Sequence, residues 1–239
     1  MGALTFFSLL CAANAAFAQA QAQSLDNVLE AYARALGGRA AIDAIQNREI
    51  EAKLHHGAKV TYYWAKPDKV LRLSQGTKEG YDGGSTWFLS KKKKLTKAPK
   101  AEQQWLEIYA NPLRYLHMKD LYSEVDPAPG EQVDGEAMDV LVAPNNIGST
   151  KFFFDKSSHL LVRIEETGVT SAYYKQVTEF SEYKPVDGVQ FPFRIEHRSE
   201  EPGGNHQDLR ISKVEQNIDL NPEIFAKPQL SNVTLGGKR

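Results

Sequence analysis

From Arg48 onward this chain is written in a two-residue period. In REIEAKLHH, Ile50, Ala52 and Leu54 fall on one side, and Glu49, Glu51, Lys53 and His55 on the other. KVTYYWAKP continues with Val60, Tyr62 and Trp64, and DKVLRLS and STWFLSKKKKL follow. Such alternation marks half-buried strands, because successive side chains leave a strand on opposite faces. The breaks are His56-Gly57, Lys66-Pro67-Asp68 and Asp82-Gly83-Gly84, residue types that close tight turns. Breaks this short join antiparallel neighbours.

Further strands are expected over Leu121 to Val125, Glu136 to Val142, Thr150 to Asp155, Leu160 to Glu165, Ser171 to Tyr183, Val189 to Arg198 and Asp208 to Glu215. FFFDKSSHLLVRIE reads as a hairpin, and DPAPGEQVDGE as a loop inside the meander. In FSEYKPVDGVQFPFRIEHR, a Val186-Asp187-Gly188-Val189 turn precedes a strand with Val189, Phe191, Phe193 and Ile195 on one face. That face suits either a packed core or the wall of a ligand cavity. Pro192 removes a backbone donor, so its strand is expected at an edge or with a bulge.

Two helical segments interrupt the pattern. Ser24 can cap a helix whose Leu25, Val28, Leu29, Tyr32 and Leu36 share one face, and Gly37-Gly38 ends it. A short helix over about Ala40 to Ile45 follows. AEQQWLEIYANPLRYLHMKD reads as helical, split or kinked at Asn111-Pro112. A sheet of this many strands accumulates twist and must curl, split or close, and so few helices cover one apolar face poorly. The expected fold is α+β: a strongly curved antiparallel sheet, a half-barrel of roughly ten or eleven strands, with short helices capping an apolar concave face.

Domain organisation follows from the ends. LTFFSLLCAANAAFA is apolar, too short to span a bilayer and ends in Ala16-Phe17-Ala18, so residues 1–18 read as a secretory signal peptide cut after Ala18 or Ala20. No basic residue precedes Arg34 to form the usual charged start. Cys11, the one cysteine, follows Leu9 and Leu10, where a lipidation signal needs small residues. A chain cut at Ala18 therefore contains no cysteine and no disulfide. Residues 24–228 are expected to form a single domain, with 229–239 a flexible polar tail.

Several function classes find no support. The net charge of −1 provides no field for nucleic acid, and Lys91 to Lys94 with Lys97 form a single basic run on a hairpin tip. That run suits a solvated tip, or a contact for lipid head groups or an acidic partner. His55 and His56 are adjacent and would point to opposite faces of a strand, while His117, His159, His197 and His206 lack ligand spacing. No metal and no cofactor is therefore expected. G-x-S-x-G, P-loop and H-E-x-x-H patterns are absent, so no catalytic residue is assigned and the chain is read as a non-enzyme.

Four stretches carry a resemblance. They are YARALGGRAAIDAIQNREIEAKL, YDGGSTW, FSEYKPVDGVQFPFRIE and ISKVEQNIDLNPEIFAKP. In this order they resemble the LolA/LolB-like superfamily of outer-membrane lipoprotein carrier and sorting proteins, over Leu25 to Pro228. The resemblance implies a helical lid over an apolar cavity that holds acyl chains, in the periplasm. It also implies a lid-locking arginine, for which Arg34, Arg39 and Arg48 are candidates.

The expected lipid-binding lining is Tyr62, Trp64, Trp87, Phe152, Phe154, Val162, Phe191 and Phe193, and the expected lid is Leu29, Tyr32, Leu36, Trp105, Leu113 and Leu116. The partners implied are the acyl chains of lipid or lipoprotein, with transient membrane contact. The alternative is an envelope interaction or stress-sensing module of the same fold, which acts on a protein partner through its outer surface.

Overall fold

The computed structural model describes residues 24–97, 106–145, 147–168 and 174–229. The expected signal segment, Trp105 and the tail beyond Gln229 lie outside these residues.

The chain opens with α1 (Leu25–Leu36) and α2 (Arg39–Asp43). Ser24 Oγ accepts from the Asn27 amide, which satisfies one open donor of the first turn of α1. Six strands follow: β1 (Asn47–Leu54), β2 (Lys59–Ala65), β3 (Lys69–Ser74), β4 (Thr77–Tyr81), β5 (Thr86–Leu89) and β6 (Leu95–Thr96). A helical segment comes next: α3 over residues 106–110, a 3-10 turn over Pro112–His117, and α4 (Met118–Leu121). Seven strands complete the fold: β7 (Asp126–Val133), β8 (Glu136–Pro144), β9 (Ser149–Asp155), β10 (Leu161–Glu166), β11 (Gln176–Val186), β12 (Val189–Ser199) and β13 (His206–Gln216). A 3-10 turn over Pro222–Phe225 closes the described chain.

All the strands join one antiparallel sheet in the order β6-β5-β4-β3-β2-β1-β13-β12-β11-β10-β9-β8-β7. Two meanders therefore meet at a central seam, where β1 pairs with β13. Ile50 lies opposite Val214 and Leu54 opposite Leu209, with a bulge between Glu51 and Ala52. Side chains clasp the end of the seam. Gln46 N donates to Asn217 Oδ1 (2.7 Å), and Asn47 Nδ2 donates to the Ile218 carbonyl (3.0 Å).

This corrects the expected half-barrel of ten or eleven strands. Among the described residues the sheet has thirteen strands and is open, with β6 and β7 at opposite edges. Two premises fail. The sheet does not have a single apolar face: Val70 joins one core cluster and its neighbour Leu71 another, and Phe152 and Phe153 divide in the same way. The edges are also protected without closure. β6 has two residues, and β7 carries Pro127, Pro129 and Gly130 with a register shift. The expected strand over 121–125 is absent, because α4 runs through Leu121 and Tyr122 to Val125 form none.

The main core lies between one face of the sheet and the helices. It joins Leu29, Tyr32 and Leu36 of α1 to Ile50, Tyr62, Phe152, Phe154, Phe191 and Leu209. α1 docks at the β11–β12 turn, where Asp187 and Gly188 are both left-handed (φ 47° and 82°), as a two-residue hairpin turn requires. Gly37 ends α1 at φ 115°, and a Cβ there would sit 2.2 Å from the Gly188 carbonyl oxygen. Glycine at 37 is thus needed both to turn the chain and to let helix and hairpin touch.

Candidate functional site

Arg48 is the unusual residue of the main core. It sits on β1 in phase with Ile50 and Ala52, so the two-residue period points it under the helices. Only 1% of it is exposed. Its guanidinium carbon lies 4.7 Å from the Phe191 ring centre and 5.5 Å from that of Trp64, within cation–π range of both. Nη1 donates to the Ala110 carbonyl at the end of α3 (3.4 Å) and to Asn111 Oδ1 (3.3 Å). Nε is buried and meets no acceptor among the described residues. Burial alone pushes the pKa down to about 9, and no neighbouring carboxylate counters that shift. The group is a buried cation, still charged at neutral pH, whose described partners are neutral.

Arg48 faces a cleft of about 580 Å³, within the usual range for small-molecule sites. Ile42, Ile45, Trp64, Tyr81 and Leu113 form apolar wall, and charged groups stand around them. Some of those charges are engaged: Arg114 pairs with Glu107, His117 lies 3.6 Å from Asp43, and Lys66 donates to the Asp43 backbone carbonyl, while Asp68 and Asp120 also line the cleft. The cleft thus opens between α2, the β2–β3 turn and the α3–α4 segment.

The structure brings most of the expected lining together. Tyr62, Trp64, Phe152, Phe154 and Phe191 belong to the main core, and half-buried Phe193 packs against it. Of the expected lid, Leu29, Tyr32, Leu36, Leu113 and Leu116 lie in the same core. The two sets pack on each other. Tyr32 meets Phe154 edge-on at 5.2 Å, and Tyr115 and Tyr122 each approach Phe152 at 5.4 Å. Tyr183 Oη donates to the Leu161 carbonyl (2.7 Å). In this state the helices' own side chains fill most of the apolar face, and the cleft beside Arg48 is open space.

Two expected lining residues are elsewhere. Trp87 packs with Leu71 and Phe225 on the opposite face, and its Nε1 donates to the Phe225 carbonyl (3.2 Å). Val162 packs with Met138, Val140 and Phe153, also on that face. Pro192 lies opposite Tyr183 of β11, beyond the end of the β12–β13 pairing, so its missing donor faces no strand there.

Among the three arginines weighed from the sequence, Arg34 is exposed, Arg39 pairs with Glu30 (2.7 Å), and Arg48 is buried. Sequence reasoning did not single out Arg48. The signal was present: a charge at an inward, apolar-phase position of a strand. A second, more polar cleft of about 390 Å³ lies along Arg72, Glu79, Gln176, His197 and Gln207. His55, His56 and His206 come within stacking distance, yet among the described residues no group of three or more His, Cys, Asp or Glu is arranged to hold a metal.

No family model matches the chain, and neither does any curated protein. Solved structures do match in fold. A DUF1329 family protein from Desulfovibrio piger aligns with a TM-score of 0.63 at 13% identity, over 84% of this chain and 96% of that one. A LolA superfamily protein from Nitrosomonas europaea aligns with a TM-score of 0.58 at 14% identity, over 86% and 99%. A putative outer-membrane lipoprotein-sorting protein domain from Vibrio parahaemolyticus gives 0.51 at 15% identity, over 77% and 88%. At these identities the likeness is one of fold.

Proposed function

We propose that this chain is a non-catalytic, periplasmic lipid-binding protein that shelters acyl chains, those of lipoproteins included, between its sheet and its helical cover. The observation that carries this reading is the cover itself. A large apolar sheet face is roofed by short helices, and a buried arginine ties the end of α3 to β1 through two long hydrogen bonds. Such a roof can be exchanged. An acyl chain sliding under it replaces the cover's apolar contacts with its own, at about 0.8 kcal/mol per buried methylene. Arg48 takes the role of the lid-locking arginine implied by the resemblance: its bonds to Ala110 and Asn111 hold the closed state and break as the cover lifts. The fold shared with a LolA superfamily protein and a lipoprotein-sorting domain supports the same reading.

The test is native mass spectrometry of the chain from about Gln19 onward, with lipid extraction. A co-purified mass of acyl-chain size is expected. It should be lost in Phe193→Asp, where the half-buried ring can be replaced without emptying the core. The absence of any bound mass, together with unchanged tryptophan emission on adding fatty acid or phospholipid, would show that the apolar face is ordinary core.

A further inference from the structure

Arg48 has more capacity than the cover uses. Its two hydrogen bonds both leave from Nη1, which leaves the Nε edge of the guanidinium without a partner among the described residues. Natural interiors rarely hold a cation this way, because a buried charge is costly unless an opposite charge or several good hydrogen bonds meet it. The Phe191 and Trp64 rings, within cation–π range of the guanidinium carbon, help to hold the group in place. Two of the four acidic groups that line the cleft stand against a basic side chain, Glu107 against Arg114 and Asp43 against His117, while Asp68 and Asp120 line it as well. A buried, planar donor edge beside a cleft that carries an apolar strip (Ile42, Ile45, Trp64, Leu113) among charged groups suits a planar anion attached to an apolar body.

We infer that the cleft beside Arg48 receives the carboxylate of a single-chain fatty acid, with the head group on the Nε edge of Arg48 and the hydrocarbon along Ile42, Ile45, Trp64 and Leu113. This rests on the acyl-chain reading above and adds the charge and the class of the ligand. A volume of about 580 Å³ suits one chain better than a multi-chain lipid, whose remaining chains would have to lie under the lifted cover. Neutral lipids of the same length lack the group that Arg48 is arranged to meet. The specificity is then for charge at the head, with chain length contributing bulk affinity.

Palmitate and hexadecanol are the probes. They share a chain length and differ in the head group. Binding to the wild-type chain is measured by tryptophan emission below the aggregation limit of each probe, at pH about 8, where the carboxyl is ionised. Palmitate is expected to bind roughly 10- to 100-fold tighter than hexadecanol, the worth of one or two charge-assisted hydrogen bonds. Arg48→Gln should erase that ratio, whatever the absolute affinity for hexadecanol becomes, while Arg48→Lys should retain part of it. Equal affinities for the two probes in the wild type overturn the carboxylate site and leave the acyl-chain reading standing. Arg48→Gln weakening both probes equally in a folded protein also overturns it, and assigns Arg48 to the cover alone. Binding of neither probe overturns both readings. The wild-type comparison needs no variant, so a poorly folding substitution does not block the test.

Discussion

Replacing Gly37 with alanine tests how the cover is docked. Gly37 and Gly38 both have positive φ: Gly37 is left-handed (φ 115°, ψ 3°), where alanine costs about 1–2 kcal/mol, and Gly38 (φ 97°, ψ 148°) lies in a region essentially reserved for glycine, where alanine costs about 1–3 kcal/mol. Their surroundings differ. A Cβ at Gly38 meets nothing within 4 Å, whereas at Gly37 it meets the Gly188 carbonyl oxygen at 2.2 Å. The obstacle is backbone in a tight turn and cannot swing aside. Either α1 lifts or the β11–β12 turn opens, and overpacking of this kind costs a further 1–3 kcal/mol or so. Gly37→Ala should therefore lose about 3 kcal/mol, backbone and clash together, and Gly38→Ala its backbone penalty alone, about 1–3 kcal/mol. Urea unfolding followed by circular dichroism gives both values, and the corresponding drop for Gly37→Ala is about 6–12 °C in Tm. If Gly37→Ala loses less than about 2 kcal/mol, the sum of the smallest backbone and overpacking penalties, the helix does not rest on the hairpin as described.

Two further changes probe other parts of the fold. Burial, with the charges of His206 and Arg198 nearby, pushes the His197 imidazole down from 6.5 to about 4. The unfolded chain then takes up this proton first, so His197 should cost stability progressively as pH falls from 6.5 to 4, by about 3 kcal/mol in all. His197→Gln should flatten that part of the pH profile in urea titrations, and an unchanged slope would refute the assignment. Gly80 lies under Trp87, where a Cβ would come 2.4 Å from the indole. Gly80→Ala should displace the ring, break its bond to the Phe225 carbonyl, and cost about 2 kcal/mol with loss of near-ultraviolet circular dichroism.

Much of this fold could be read from alternation. Ser24 and Gly37 bound α1 as their chemistry requires, and β1, β2 and β12 largely follow their period. The missed strands break the rules that make strands visible. β4 is TKEGY, poor in β-formers, and β6 has two residues. β7 is DPAPGEQV, which reads as a loop, and an edge is where a strand can hold prolines. Its neighbour β8 supplies the pairing that its own sequence does not advertise. The half-barrel failed for a different reason. Alternation tells which residues share a face but not how many layers meet that face, and Trp87 and Val162 were assigned to the wrong side of the sheet. Arg48 was legible as an inward charge; its missing counterion was not, because partners come from helices more than 60 positions away, at Ala110 and Asn111.

The central seam sets the timetable of folding. β1 and β13 are neighbours in space, yet Gln46 and Asn217, which clasp their ends, stand 171 positions apart in the chain. As the polypeptide emerges, β1 to β6 can zip by local turns, but β1 keeps a raw hydrogen-bonding edge until almost the last segment arrives. Contact order is thus concentrated in one late event, and folding should be limited by it rather than by any hairpin. A chain that stops short of His206 is left with two naked edges, on β1 and on β12, each a template for another unfinished molecule. Completion of synthesis, more than any single contact, separates a soluble product from an aggregating one.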